Sequence, residues 1–179
     1  MMEVSQLFAE LLQKAQQHAE QRAEIWRSYA DPNAISPCQY GDVEDDLVAW
    51  WPQKITEPLD FSGIEHALEM TLDPQIKSFY TAFYGGGLPL QHPKGPLELL
   101  MVWHSDDFTR LQKNIVAHIL MKRKLKQRET IFFATTDDDD MMLSVLNSTG
   151  EVYLERVGTE VSQKLADSLS DFLQQLSIR

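Results

Sequence analysis

The chain has 179 residues, 43% of them apolar and 24% charged, which is enough apolar material for one sizeable core and too little length for two. Acidic residues outnumber basic ones 27 to 16, a formal charge of −11, so the long-range field repels nucleic-acid phosphates and anionic lipid headgroups. One cysteine, Cys38, excludes an intrachain disulfide, and the start Met1-Met2-Glu3 lacks the basic and apolar regions of a secretory signal, so the cytoplasm is the expected compartment.

Val4, Phe8, Leu11, Leu12, Ala15, Ala19, Ala23 and Trp26 recur at helical spacing and predict one long amphipathic helix within residues 1–30, stopped by Asp31-Pro32 because the residue before proline leaves the α region. Its polar face carries glutamines and mixed charges rather than a Lys/Arg stripe, which fits packing on its own domain and not a membrane-surface anchor. Residues 47–51 read as a buried strand closed by Pro52, and Ser62-Gly63-Ile64-Glu65 reads as a capping box opening a helix. Asp73-Pro74 starts the next helix, with proline at N1. Gly85-Gly86-Gly87 breaks it, and Pro89, Pro93, Gly95 and Pro96 extend the break into a mobile loop.

Residues 97–103 form an apolar strand interrupted by Glu98, far shorter than the roughly 20 residues a spanning helix needs. Ser105 with Asp106 and Asp107 then caps a helix showing Phe108, Leu111, Ile115, His118 and Ile119 on one face and ending in Lys122, Arg123, Lys124, Lys126 and Arg128, cations where the helix dipole favours them. Three short strands at 131–134, 142–147 and 151–157, joined by Asp137 to Asp140 and by Asn147-Ser148-Thr149-Gly150, make a meander. A last helix, capped by Thr159, is expected to bury Val161, Leu165, Leu169, Phe172, Leu173 and Leu176. The pattern predicts a single α+β domain over residues 1–179, a mainly antiparallel sheet with flanking helices.

Reactive constellations are not found. The run Asp137 to Asp140 lacks the alternating spacing of a calcium loop and reads as a solvated turn. Cys38 and the histidines at 18, 66, 92, 104 and 118 never reach zinc-ligand spacing. The Gly85-Gly86-Gly87 run lacks a following Gly-Lys-Ser/Thr, no G-x-S-x-G is present, and Glu65-His66 and His104 with Asp106 read as structural histidines. No catalytic residue, metal or cofactor is expected. The cations between Arg110 and Arg128 lack interleaved aromatics, so they are expected to pair with the chain's own acids rather than with nucleic acid.

The strongest asymmetry lies between Asp31 and Asp73, where ten carboxylates face one basic residue, Lys54, for a net −9. Asp42, Glu44, Asp45 and Asp46 precede the Trp50-Trp51 strand, Asp60 precedes the capping box, and Glu65 and Glu69 stand four apart on one predicted helix face where like charges repel. Such a concentration attracts a basic partner, and these seven residues are the candidate binding surface. The absence of an apolar heptad seam predicts a monomer.

From residue 97 onward the chain carries Leu97-x-Leu99-Leu100-x-x-Trp103-x-Ser105-x-Asp107-Phe108-x-Arg110-x-Gln112-x-Asn114, then His118, Lys122-x-x-Leu125-Lys126, Thr130-x-Phe132-x-Ala134, Asn147-x-x-Gly150-Glu151-Val152 and Leu165-Ala166-x-x-Leu169-x-x-Phe172-Leu173. With Ser36-Pro37-Cys38 and Ile76-x-x-Phe79-Tyr80-Thr81 upstream, this resembles the Syd family of SecY-interacting proteins, over roughly residues 36–177. The resemblance implies a SUKH-like α+β fold and an acidic concave surface facing the basic cytosolic loops of SecY. It also implies a peripheral place on the cytoplasmic side of the inner membrane, without enzyme chemistry or cofactor, where the protein monitors or negatively regulates improperly assembled translocon. An immunity-type SUKH protein that neutralises a basic toxin or nuclease is the alternative the same acidic sign would serve.

Overall fold

The computed structural model describes residues 2–179. In chain order the elements are α1 (Val4–Gln21), β1 (Arg27–Tyr29), β2 (Gln39–Glu44), β3 (Leu47–Trp50), β4 (Gln53–Lys54), α2 (Ser62–Leu68), α3 (Pro74–Tyr80), β5 (Phe83–Tyr84), β6 (Leu88–His92), β7 (Gly95–Leu99), α4 (Ser105–Lys124), β8 (Thr130–Thr136), β9 (Met141–Leu146), β10 (Val152–Arg156), β11 (Gln163–Ala166), α5 (Leu169–Gln174) and β12 (Ser177–Ile178). Seven strands form an antiparallel sheet in the order β11-β10-β9-β8-β7-β6-β12, and β1-β3-β2 form a separate small sheet. The fold class is therefore α+β, as the pattern of the sequence predicts.

Helices cover both faces of the large sheet. Phe133 of β8 meets Phe79 of α3 and Phe172 of α5 edge-on, with ring centroids 6.1 and 5.5 Å apart, and Phe8 of α1 stacks on Phe79 at 4.8 Å. Its neighbour Phe132 points the other way, 5.6 Å from the His118 ring of α4. That alternation is the two-residue period of a strand buried on both sides.

Several expectations are corrected. The first helix stops at Gln21, where Ala23 takes a left-handed φ of 54° and the Glu24 and Ala23 amides close onto Ala19 and Glu20; this stop motif usually carries glycine, so nothing in the sequence marked it. Trp26 instead leads into β1, its carbonyl accepting from the Trp50 amide. The capping box at Ser62 does not form, because the Ser62 hydroxyl donates to Asp60 and Glu65 is taken by the Leu72 amide and the Lys77 ammonium. The loop expected through Pro96 is the β6–β7 hairpin. Its prolines are tolerated because β12 pairs only with Leu90 and Gln91 and β8 starts its pairing at Leu97, leaving Pro89 and Pro96 outside those ladders. The last helix begins only at Leu169, capped by Ser168 rather than by Thr159, and residues 163–166 pair as β11 with the otherwise open edge of β10.

The meander β8–β9–β10 and the Asp73-Pro74 start of α3 match expectation; Asp73 accepts from the Gln75 and Ile76 amides. At the start of α4 the cap moves one residue, since His104 Nδ1, not Ser105, accepts from the Asp107 amide. The cations in the last turn of α4 and just after it are in part paired internally: Arg123 pairs with Glu129, Arg128 with Glu160 at 3.2 Å, and Lys122 is buried beside Glu155.

Candidate partner-binding surface

The small sheet is built on tryptophan. All four tryptophans of the chain meet here: Trp26 lies 5.1 Å from Trp50 and 5.0 Å from Trp51, and Trp103 meets Trp50 edge-on at 6.5 Å. Val48 and Trp50 point inward and are buried. Gly86 lets this sheet sit close to the segment entering β6, since a Cβ there would come within 2.8 Å of Trp50 Nε1 and 2.9 Å of Ser28 Cβ. The glycine run is thus a packing contact and not only a hinge. A second tie joins the loop after β1 to α4, where His104 Nε2 donates to Asp31 at 2.8 Å. The amide of Asn33 and then the His104 bond hold the Asp31 carboxyl below the usual carboxylate range.

The outer face of this sheet follows from its register. Tyr29, Leu47 and Glu44 form one cross-strand row, and Arg27, Ala49 and Tyr40 the next. Residues directly opposite point to the same side. Trp51 continues the face, its ring stacked on Tyr40 with centroids 6.4 Å apart and planes 17° apart. Tyr29 is 75% and Tyr40 42% exposed at the two outer strands of the sheet, while Ala49 on the central strand is buried.

Between Glu44 and Leu47 the chain turns in two residues, Asp45 and Asp46, with φ of 52° and 65°. Two positive φ values in a two-residue hairpin define the turn whose twist suits flanking strands and which asparagine-glycine fills best. Asp42, Glu44, Asp45 and Asp46 are all exposed, and none has an ion-pair partner among the described residues. The structure brings these four candidates together on one hairpin.

The other three candidates sit elsewhere. Asp60 accepts from the Ser62 hydroxyl at 2.7 Å and its amide at 3.0 Å, bonds that hold its carboxyl below the usual range. Glu65 is largely buried and engaged by Lys77 at 3.0 Å. Glu69 lies past the end of α2 with a left-handed φ of 52° and is exposed, so it does not share a helix face with Glu65 as predicted. Sequence reasoning missed Tyr29, Tyr40 and Trp51 as surface residues; their only signal was the density of aromatics flanking the carboxylates.

Two further features bear on function. Asp138 closes its turn by accepting from the Asp140 amide at 2.9 Å. No helix among the described residues is long and apolar enough to cross a membrane.

A model of the Syd protein (SUKH-2) family matches residues 2–177. The chain is 41% identical over 157 residues to protein Syd of Psychromonas ingrahamii, covering 88% of this chain and 85% of that one. It is 42% identical over 172 residues to protein Syd of Colwellia psychrerythraea, covering 91% and 86%. Protein Syd of Pectobacterium atrosepticum is 42% identical over 142 residues, covering 79% and 78%.

Proposed function

Because the chain belongs to the Syd (SUKH-2) family, we propose that it binds SecY, the channel subunit of the protein-translocation machinery, from the cytoplasmic side of the inner membrane. There it monitors or restrains channels that are not properly assembled. It acts by binding and not by catalysis, as a peripheral protein held by its partner.

The observation that carries this reading is the tip of the β2–β3 hairpin, where Asp42, Glu44, Asp45 and Asp46 stand exposed without ion-pair partners among the described residues. Cytosolic loops of membrane proteins carry excess Lys and Arg. A carboxylate-rich surface therefore meets a partner of opposite sign and gains chiefly in encounter rate and orientation.

Co-purification with detergent-solubilised SecY tests it. Retention at about 50 mM NaCl that weakens toward about 500 mM is expected, since the Debye length shrinks severalfold over that range. Protein-free liposomes of native-like composition should retain nothing. Sedimentation with such liposomes, or indifference to SecY, contradicts the reading.

A further inference from the structure

We infer that the outer face of the three-stranded sheet seats arginine and lysine side chains of the bound segment, laid against the rings of Tyr29, Tyr40 and Trp51 with their charged ends toward the hairpin carboxylates. The inference deepens the SecY-binding reading and rests on it.

Two observations point to a cation rather than to a purely apolar occupant. Tyr29 and Tyr40 leave 75% and 42% of their surface to solvent on one face of the sheet, and Trp51 extends it by stacking on Tyr40. Glu44 shares a row with Tyr29, and Asp42, Asp45 and Asp46 complete the hairpin at the same end. An apolar partner would find four uncompensated carboxylates at its rim, whereas a basic one finds them complementary. Aromatic faces attract a guanidinium or ammonium within about 6 Å of the ring centroid. Such short-range contacts fade less with salt than rim charges do, so the two parts of the surface are separable by experiment.

The test compares SecY affinity of the wild-type chain, Tyr29→Ala with Tyr40→Ala, and Tyr29→Phe with Tyr40→Phe, at about 50 and about 500 mM NaCl, with a melting curve for each. The alanine pair should lose roughly tenfold in affinity at both salt concentrations, and the phenylalanine pair, which keeps both rings, should lose little. Since Tyr40 also packs on Trp51, Tyr29→Ala alone decides the matter if the alanine pair melts early; a loss of roughly threefold is expected for it. Wild-type affinity in the folded alanine variants overturns the inference while leaving the SecY reading intact. Equal losses in the alanine and phenylalanine pairs overturn it too, by assigning the contact to the hydroxyls. A wild-type chain that does not bind SecY at all defeats the underlying reading instead.

Discussion

Lys122 Nζ lies 3.6 Å from Glu155 Oε1 with both side chains fully buried, joining α4 to β10, the last strand of the meander. The ammonium also donates to the Thr159 carbonyl at 2.9 Å, and the carboxylate accepts from Thr130 at 2.7 Å and Ser144 at 3.2 Å. Deleting one member of such a pair leaves an uncompensated buried charge, at a cost of about 3–5 kcal/mol. Lys122→Met and Glu155→Leu should each destabilise by that order in urea unfolding, and the double variant should lose clearly less than the sum. Strict additivity would show that the two groups do not act as a pair.

His118 belongs to the same network. The Thr130 hydroxyl gives its one proton to Glu155, so it accepts from His118 Nε2 at 2.8 Å, and the imidazole is neutral with its proton on Nε2. Burial, and then the nearby Lys122 charge, push its pKa down to about 4 from the ordinary 6.5. Between those values the unfolded chain holds a proton that the folded one refuses, so this group's contribution to stability falls as pH drops from 6.5 to 4, by about 3 kcal/mol in all. Burial raises the pKa of Glu155 and works in the opposite direction. The difference between wild type and His118→Gln therefore isolates the histidine: the wild type should lose more stability than the variant across that window. A His118 ring titrating near 6.5 by NMR would contradict this.

The hairpin turn is occupied by residues that suit its charge better than its backbone. Asp45 and Asp46 both take positive φ, where asparagine and glycine are preferred. Asp45→Asn with Asp46→Gly should raise stability by roughly 0.5–1 kcal/mol, read as a higher melting temperature. A lower one would mean that the turn differs from the one described.

Gly86→Ala should cost about 1–3 kcal/mol, the usual price of overpacking, because the new methyl would stand 2.8 Å from Trp50 Nε1. The near-ultraviolet circular dichroism of the tryptophan cluster should change with it. An unaltered spectrum and melting temperature would show that the small sheet packs more loosely on this segment.

Local signals written in side chains were legible from the sequence. Asp73-Pro74, the meander turns and the α4 apolar face all rest on capping or periodicity that the residues carry themselves. What was hidden depends on distant partners. Residues 163–166 carry apolar spacing compatible with a helix, yet the open edge of β10 claims them as a strand. Ala23 ends α1 in a conformation normally marked by glycine. For the candidate surface, the sign of the charge was readable and its grouping was not. Asp42 to Asp46 gather on one hairpin, while Glu65 is consumed by Lys77 and Leu72. The exposure of Tyr29 and Tyr40 follows only from a three-strand register formed by segments 27–29, 39–44 and 47–50.

The most direct measurement is the affinity for detergent-solubilised SecY of a chain carrying Asp42→Asn, Glu44→Gln, Asp45→Asn and Asp46→Gly, set beside the wild type across about 50 to 500 mM NaCl. The turn substitutions favour the native hairpin, so lost binding cannot be assigned to unfolding once the melting curve is in hand. The wild type is expected to bind more tightly at low salt and to converge on the variant as salt rises. Identical affinities and identical salt dependence would place the interface away from the hairpin and contradict the account.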